Sequence, residues 1–284
     1  MSARSDRRLI LSDGMPLAVQ VGGCGVPLVL LHGFPLDHSM WEGQWPLTNW
    51  GRLLAGGSRD GSARLVVPDL RGFGGSVGGP PPTSMAGLAD DVAEVIAGLE
   101  IDEPVVVCGL SMGGYVAQHL AVRHPGLLRG LVLVDTRLEA DSEQVRAVRA
   151  DLSARVGRLG ARIAAEAMVT NLLAGQTEAR HRQLADSLRR VIESTETGTI
   201  QATLSALADR PDMTTPLSSI DLPTLLIVGS EDTITPPACL ERAAAIIPAA
   251  RLVVMPRCGH MTPLEDPANF NALLAGFLRD VTGR

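Results

Sequence analysis

The sequence predicts an α/β fold, with a mostly parallel central sheet flanked by helices and an inserted α-helical cap. Three observations predict it. Short apolar runs of strand type alternate with segments of helical periodicity over residues 1–136 and again over residues 217–284. Between them, residues 137–216 hold no apolar strand run; alanines and charges recur there at helical spacing, in roughly four helices. Finally, His32, Asp69, Ser111, Asp135, Asp232 and His260 each follow the carboxyl end of a predicted strand, the edge of such a sheet beyond which ligands bind. The expected division is a core of residues 1–136 and 217–284 and a cap, or lid, of residues 137–216.

The elements follow in order. Residues 9–11 and 17–21 read as two short strands around the turn Ser12-Asp13-Gly14. Residues 27–31 are a continuous apolar run, as a buried strand has, and empty into His32-Gly33-Phe34-Pro35. The spacing of Met40, Trp41 and Trp45 predicts a short helix over 37–47 that packs its aromatics on the sheet. Residues 49–63, rich in Gly, Ser and Arg, read as an exposed loop. A strand follows at 65–67, then a helix over 85–99 with Ser84 as its cap. Strands are expected at 105–107, 131–134, 224–228 and 251–255, and helices at 115–123, 237–247 and 269–278.

Composition narrows the chemistry. The chain has 284 residues, 45% of them hydrophobic, which suits a folded domain with an insertion. A net charge of −6 argues against a nucleic-acid partner, which calls for a basic face. The four cysteines, Cys24, Cys108, Cys239 and Cys258, are scattered without metal-binding spacing, and fit a reduced, cytoplasmic setting. Residues 1–8 are polar and Arg-rich and lack the apolar core of a signal peptide, and no apolar run is long enough for a membrane span. All 25 basic residues are arginine. With no lysine there is no Schiff base, no pyridoxal phosphate anchor, no Walker-type phosphate lysine and no Ser–Lys dyad. Neither cofactor nor metal is expected.

Gly109-Leu110-Ser111-Met112-Gly113 lies between a predicted strand and a predicted helix. In that context G-x-S-x-G is a sharp turn that exposes a nucleophilic serine at a helix N-terminus. Ser111 then needs a base and a group to orient it. His260, in a loop after the last strand, is the expected base. His38, His119, His124 and His181 fall in or beside predicted helices and read as surface or packing residues; His32 reads as shaping its turn. Asp232 is the expected orienting acid, with Asp135 as the alternative. The backbone N–H groups of Met112 and Phe34 are expected to receive developing negative charge. Met168, Leu172 and Leu173, in an apolar stretch of the cap, are candidates for lining the substrate pocket.

Taken together, Leu31-His32-Gly33-Phe34-Pro35, Asp69-Leu70-Arg71-Gly72-Phe73-Gly74, Gly109-Leu110-Ser111-Met112-Gly113-Gly114, Gly229-Ser230-Glu231-Asp232 and Gly259-His260 resemble the α/β-hydrolase superfamily over nearly the whole chain. The order Ser111, Asp232, His260 is the one that superfamily shows. Phe34-Pro35-Leu36-Asp37-His38, Leu133-Val134-Asp135-Thr136 and Ala208-Asp209-Arg210-Pro211-Asp212 resemble capped bacterial carboxylesterases, 3-oxoadipate enol-lactonases and perhydrolase-like enzymes. Residues 49–63 are longer than the matching stretch of such enzymes. Epoxide hydrolases and haloalkane dehalogenases of the fold carry an aspartate where Ser111 stands, and hydroxynitrile lyases need a cap lysine that is missing here. The resemblance implies a serine hydrolase acting on a small-molecule ester of small to medium acyl groups. The alternatives are hydrolysis of an enol-lactone, whose free carboxylate would call for a cationic residue in the pocket, and, remotely, a non-catalytic binding protein.

Overall fold

The computed structural model describes residues 4–53 and 61–283. Eight strands among them form one sheet: β1 (Ser5–Ile10), β2 (Pro16–Gly23), β3 (Val26–Leu31), β4 (Ala63–Pro68), β5 (Val105–Leu110), β6 (Leu128–Val134), β7 (Thr224–Gly229) and β8 (Ala250–Met255). Their order is β1-β2-β4-β3-β5-β6-β7-β8. β1 and β2 pair antiparallel, as do β2 and β4; every other pair is parallel. β3, β5 and β7 are buried along their whole length, and Thr224 of β7 is the one polar side chain among them. That is what central parallel strands need, since helices cover both faces of such a sheet. β2 alternates buried and half-buried residues along most of its length, as a strand with one wet face does.

The helices of the first half are α1 (Met85–Gly98) and α2 (Met112–Arg123). Ser84 caps α1, its Oγ accepting from the Gly87 N–H at 3.0 Å. Between β6 and β7 the chain is helical: α3 (Glu143–Leu159), α4 (Arg162–Leu172), α5 (Gly175–Arg180), α6 (Arg182–Ser194), α7 (Thr197–Ala208) and α8 (Thr214–Leu217). Four of these are long, as the periodicity predicts; α5 is a short helix between α4 and α6, and α8 a single turn between α7 and β7. After β7 come α9 (Pro237–Ile246), α10 (Thr262–Glu265) and α11 (Pro267–Thr282).

Two expectations need correction. The helix expected at 37–47 is a 3₁₀ segment, His38–Arg52. Asp37 caps it, accepting from the Ser39 N–H at 2.9 Å, and Pro46 lies inside it, where the missing N–H disfavours a regular α-helix. Trp41 is fully buried, whereas Trp45 is half-buried under the Arg4 guanidinium, 4.5 Å from its ring centre. Nor is the stretch 49–63 an exposed loop throughout. Trp50 is buried, the Gly51 N–H donates to Gly61 O at 2.8 Å, and Ala63 begins β4. Residues 54–60 lie outside the described residues.

Candidate active site

Strand β5 runs directly into α2 through Ser111, whose backbone has φ 52° and ψ −111°. A positive φ at a non-glycine residue costs about 1–3 kcal/mol, so neighbours must hold it. They do: the Ser111 N–H donates to Val134 O at 2.9 Å, and Thr136 Oγ1 donates to Ser111 O at 2.9 Å. The flanking glycines let three backbones meet. A Cβ at Gly109 would stand 2.1 Å from Gly113 O, and one at Gly113 would stand 2.2 Å from Leu31 O. The turn therefore wedges between β5, α2 and the end of β3.

Asp232 and His260 leave the neighbouring ends of β7 and β8. His260 Nδ1 donates to Asp232 Oδ2 at 2.8 Å, and both side chains are buried. Asp232 also accepts from the N–H groups of Ile234 and Thr235, at 2.8 and 3.0 Å, and from Thr235 Oγ1 at 2.7 Å. Burial pushes its pKa up, but the His260 ring and these donors outweigh burial and hold it below the ordinary carboxylate value. The carboxylate thus stays ionised and favours the tautomer with the proton on Nδ1, which leaves the Nε2 lone pair free.

Asp135, the alternative acid, has a different set of partners. It is fully buried and accepts from the Gly229 N–H at 2.8 Å and from the N–H and Oγ1 of Thr262 at 3.3 and 2.7 Å. Burial, and then the charge of Asp232, raise its pKa well above the usual range. It ties the end of β7 to the segment just past His260. Glu265 makes a second tie. Its Oε1 accepts from the N–H groups of Gly259 and Met261, at 2.8 and 3.2 Å, and its Oε2 accepts from the Ala174 N–H at 2.9 Å. The His260 N–H itself donates to Leu172 O at 3.0 Å. The histidine loop is thereby bound to the end of α4. Thr262 and Glu265 carry no motif in the sequence; only proximity in the fold marks them.

His32 does shape its turn. Its Nε2 accepts from the Leu70 N–H at 2.9 Å and its Nδ1 donates to Gly33 O at 3.0 Å, while burial depresses its pKa. Asp69 is structural too. Its Oδ1 accepts from the backbone and ring N–H groups of His38, at 2.7 and 2.8 Å, and its Oδ2 from the Gly75 N–H at 2.8 Å. With Asp37 these two residues form a cluster of donor atoms within 4.8 Å of one another, and these bonds already engage the Asp69 oxygens. His119 is buried in α2, His124 Nε2 meets Asp90 Oδ1 at 2.7 Å, and His181 is exposed after α5.

Ser111 and His260 share a cavity of about 170 Å3 with Phe34, Met112, Met168 and Leu172. Leu173, also expected there, is not on the cavity wall; it is buried with its backbone against Gly259. The N–H groups of Phe34 and Met112 have no backbone acceptor among the described residues. The rest of the wall includes Tyr115, Arg137, Asp141, Val145, Arg149, Leu207, Ile234 and Thr235. A wider groove of about 530 Å3 adjoins it and shares Phe34, Val145, Arg149, Met168 and Ile234.

The profile of the Alpha/beta hydrolase family matches residues 28–273. The chain belongs to the alpha/beta hydrolase family. A pimeloyl-[acyl-carrier protein] methyl ester esterase of Neisseria meningitidis serogroup B is 34% identical to this hydrolase over 259 residues, 88% of this chain and 91% of that one. The solved structure of a thermophilic esterase from Thermogutta terrifontis, with malate bound, has a TM-score of 0.88 and 35% identity and covers 99% of both chains. The enol-lactonase from Burkholderia xenovorans LB400 shares the fold, with a TM-score of 0.85 at 24% identity over 96% of this chain and 99% of that one. Family and relatives together support hydrolase activity of the esterase type. No helix among the described residues is long and apolar enough to cross a membrane.

Proposed function

We propose that the protein hydrolyses carboxylic esters of small to medium acyl groups through an acyl-enzyme at Ser111. The observation that carries the reading is the 2.8 Å His260–Asp232 hydrogen bond beside a cavity that Ser111 and His260 both line. His260 Nε2 takes the Ser111 Oγ proton as Oγ attacks the ester carbonyl. The carbonyl oxygen becomes an oxyanion and accepts from the Phe34 and Met112 N–H groups, the second at the positive end of α2. The intermediate collapses; His260 hands its proton to the leaving alkoxide, and an alcohol departs. Water then gives a proton to His260 and attacks the acyl carbon, and Ser111 recovers its proton as the acid leaves. Asp232 stabilises the imidazolium at both stages.

Residues 137–216 act in this reading as the cap over the site, since Met168 and Leu172 of α4 and Leu207 of α7 lie on the cavity wall. A lactone would use the same groups, its leaving oxygen staying tethered to the acyl chain. The reading is tested by labelling with a fluorophosphonate and mapping the adduct by mass spectrometry. The adduct is expected on Ser111 and is expected to vanish in His260→Ala. Labelling elsewhere, or none, would remove Ser111 as nucleophile.

A further inference from the structure

The cavity wall carries the opposite charge to the chain as a whole. The protein has a net charge of −6, yet Arg137 and Arg149 line the cavity and Arg210 stands just behind it, with Asp141 the one carboxylate between them. Arg210 is committed to the fold. It is buried, its guanidinium lies 4.1 Å from the Tyr115 ring centre, and it donates to Leu207 O and Glu139 O and pairs with Asp141 Oδ1 at 2.7 Å. Arg149 is only partly committed. Its Nε donates to Asp141 Oδ2 at 2.6 Å, while its two Nη groups have no acceptor among the described residues. Arg137 donates one Nη to Ile234 O, and its buried Nε has no partner among the described residues. Two guanidinium groups and one carboxylate stand on the wall itself, so the wall is net positive, with N–H groups to spare at both arginines.

We infer that this cavity binds a carboxylate carried by the substrate, through Arg149 and Arg137. The substrate class is an ester or lactone with a free carboxylate elsewhere on the same small molecule. The inference rests on the hydrolase reading above. A guanidinium offers paired N–H donors that match the two carboxylate oxygens, and a half-buried one with N–H groups lacking an acceptor is left poorly solvated by a purely apolar guest. Arg149 lines both the cavity and the adjoining groove, so it stands where one leads into the other. In a space of about 170 Å3 a carboxylate held by these groups is only a few carbons from the scissile carbonyl.

The test compares two series of methyl esters under one set of conditions. One is the monomethyl esters of the straight-chain dicarboxylic acids from succinic to suberic; the other replaces the free carboxylate by a primary amide. Acid release gives kcat/KM for each pair, in wild type, Arg149→Gln, Arg137→Gln and Arg149→Lys. Wild type is expected to favour the carboxylate over the amide by about tenfold or more at its best length. Each Gln variant is expected to lose most of that ratio, chiefly through KM for the anionic ester, and Arg149→Lys to keep part of it. Thermal unfolding of each variant checks that it is folded. A wild-type ratio near one, or a ratio that both Gln variants keep, would overturn the inference and leave the hydrolase reading standing. Turnover of neither series by wild type would instead overturn the hydrolase reading, and this inference with it.

Discussion

His260 Nδ1 donates to an Asp232 carboxylate that also accepts three hydrogen bonds from Ile234 and Thr235. The acid is therefore fixed before it orients the histidine. Asp232→Asn keeps the shape but offers the ring a donor or a neutral oxygen and favours the wrong tautomer. We expect kcat on a simple ester to fall by about 10⁴, with KM little changed. Steady-state kinetics of the folded variant checks this; a loss of under about tenfold would reassign the orienting acid.

Asp135 ties two loops without contacting Ser111's cavity. Asp135→Ala would leave the buried Gly229 N–H and Thr262 groups without an acceptor, each omission costing about 1–3 kcal/mol. We expect its urea midpoint to fall well below that of Asp135→Asn, which keeps one acceptor oxygen. Equal midpoints for the two variants would contradict this bridging role.

Glu265 binds the histidine loop to the end of α4 by three N–H donors. Glu265→Ala is expected to lower stability by about 2 kcal/mol and to lower kcat along with it, because His260 loses its fixed backbone. Unchanged kcat in a destabilised variant would mean that the tie is structural alone.

The main features of the fold were legible because strand-type runs and helical periodicity are local signals. The Ser111 turn was legible too, since G-x-S-x-G between strand and helix is a local pattern. What could not be read were ties between distant positions: Thr262 meets Asp135 across 127 positions and Glu265 meets Ala174 across 91. The 3₁₀ character of His38–Arg52 was missed because Met40, Trp41 and Trp45 fit an α-helical stripe, while Pro46 and the kink at Asn49 decide otherwise. Which of the many arginines reach the cavity was equally hidden, because Arg137 lies in a loop after β6 and Arg149 on α3, and they come together only at the cavity.

The His38–Asp69 pair gives a pH dependence of stability. The hydrogen bond to Asp69 raises the His38 pKa above its ordinary value of 6.5. The folded state thus holds that proton more tightly than the unfolded chain. The stabilisation is complete below about pH 6.5 and is lost as pH rises through the raised folded value. His38→Gln is expected to cost more stability at pH 5.5 than at pH 8.5, by urea unfolding at both. A larger cost at pH 8.5 would reverse the assignment.

Gly109 and Gly113 set how closely β5, α2 and β3 approach. Gly109→Ala puts a methyl into the Gly113 carbonyl, and we expect a loss of about 3 kcal/mol or more, read as a lower unfolding temperature. A neutral effect would show that the turn relaxes more easily than its geometry implies.

The central claim is that Ser111 is the nucleophile. Its most direct test is hydrolysis of p-nitrophenyl acetate, butyrate and octanoate by wild type and Ser111→Ala. Wild type is expected to turn over at least the shorter esters, and the variant to lose about 10⁶ in kcat while unfolding at the same temperature. Equal rates in the two proteins would contradict the claim.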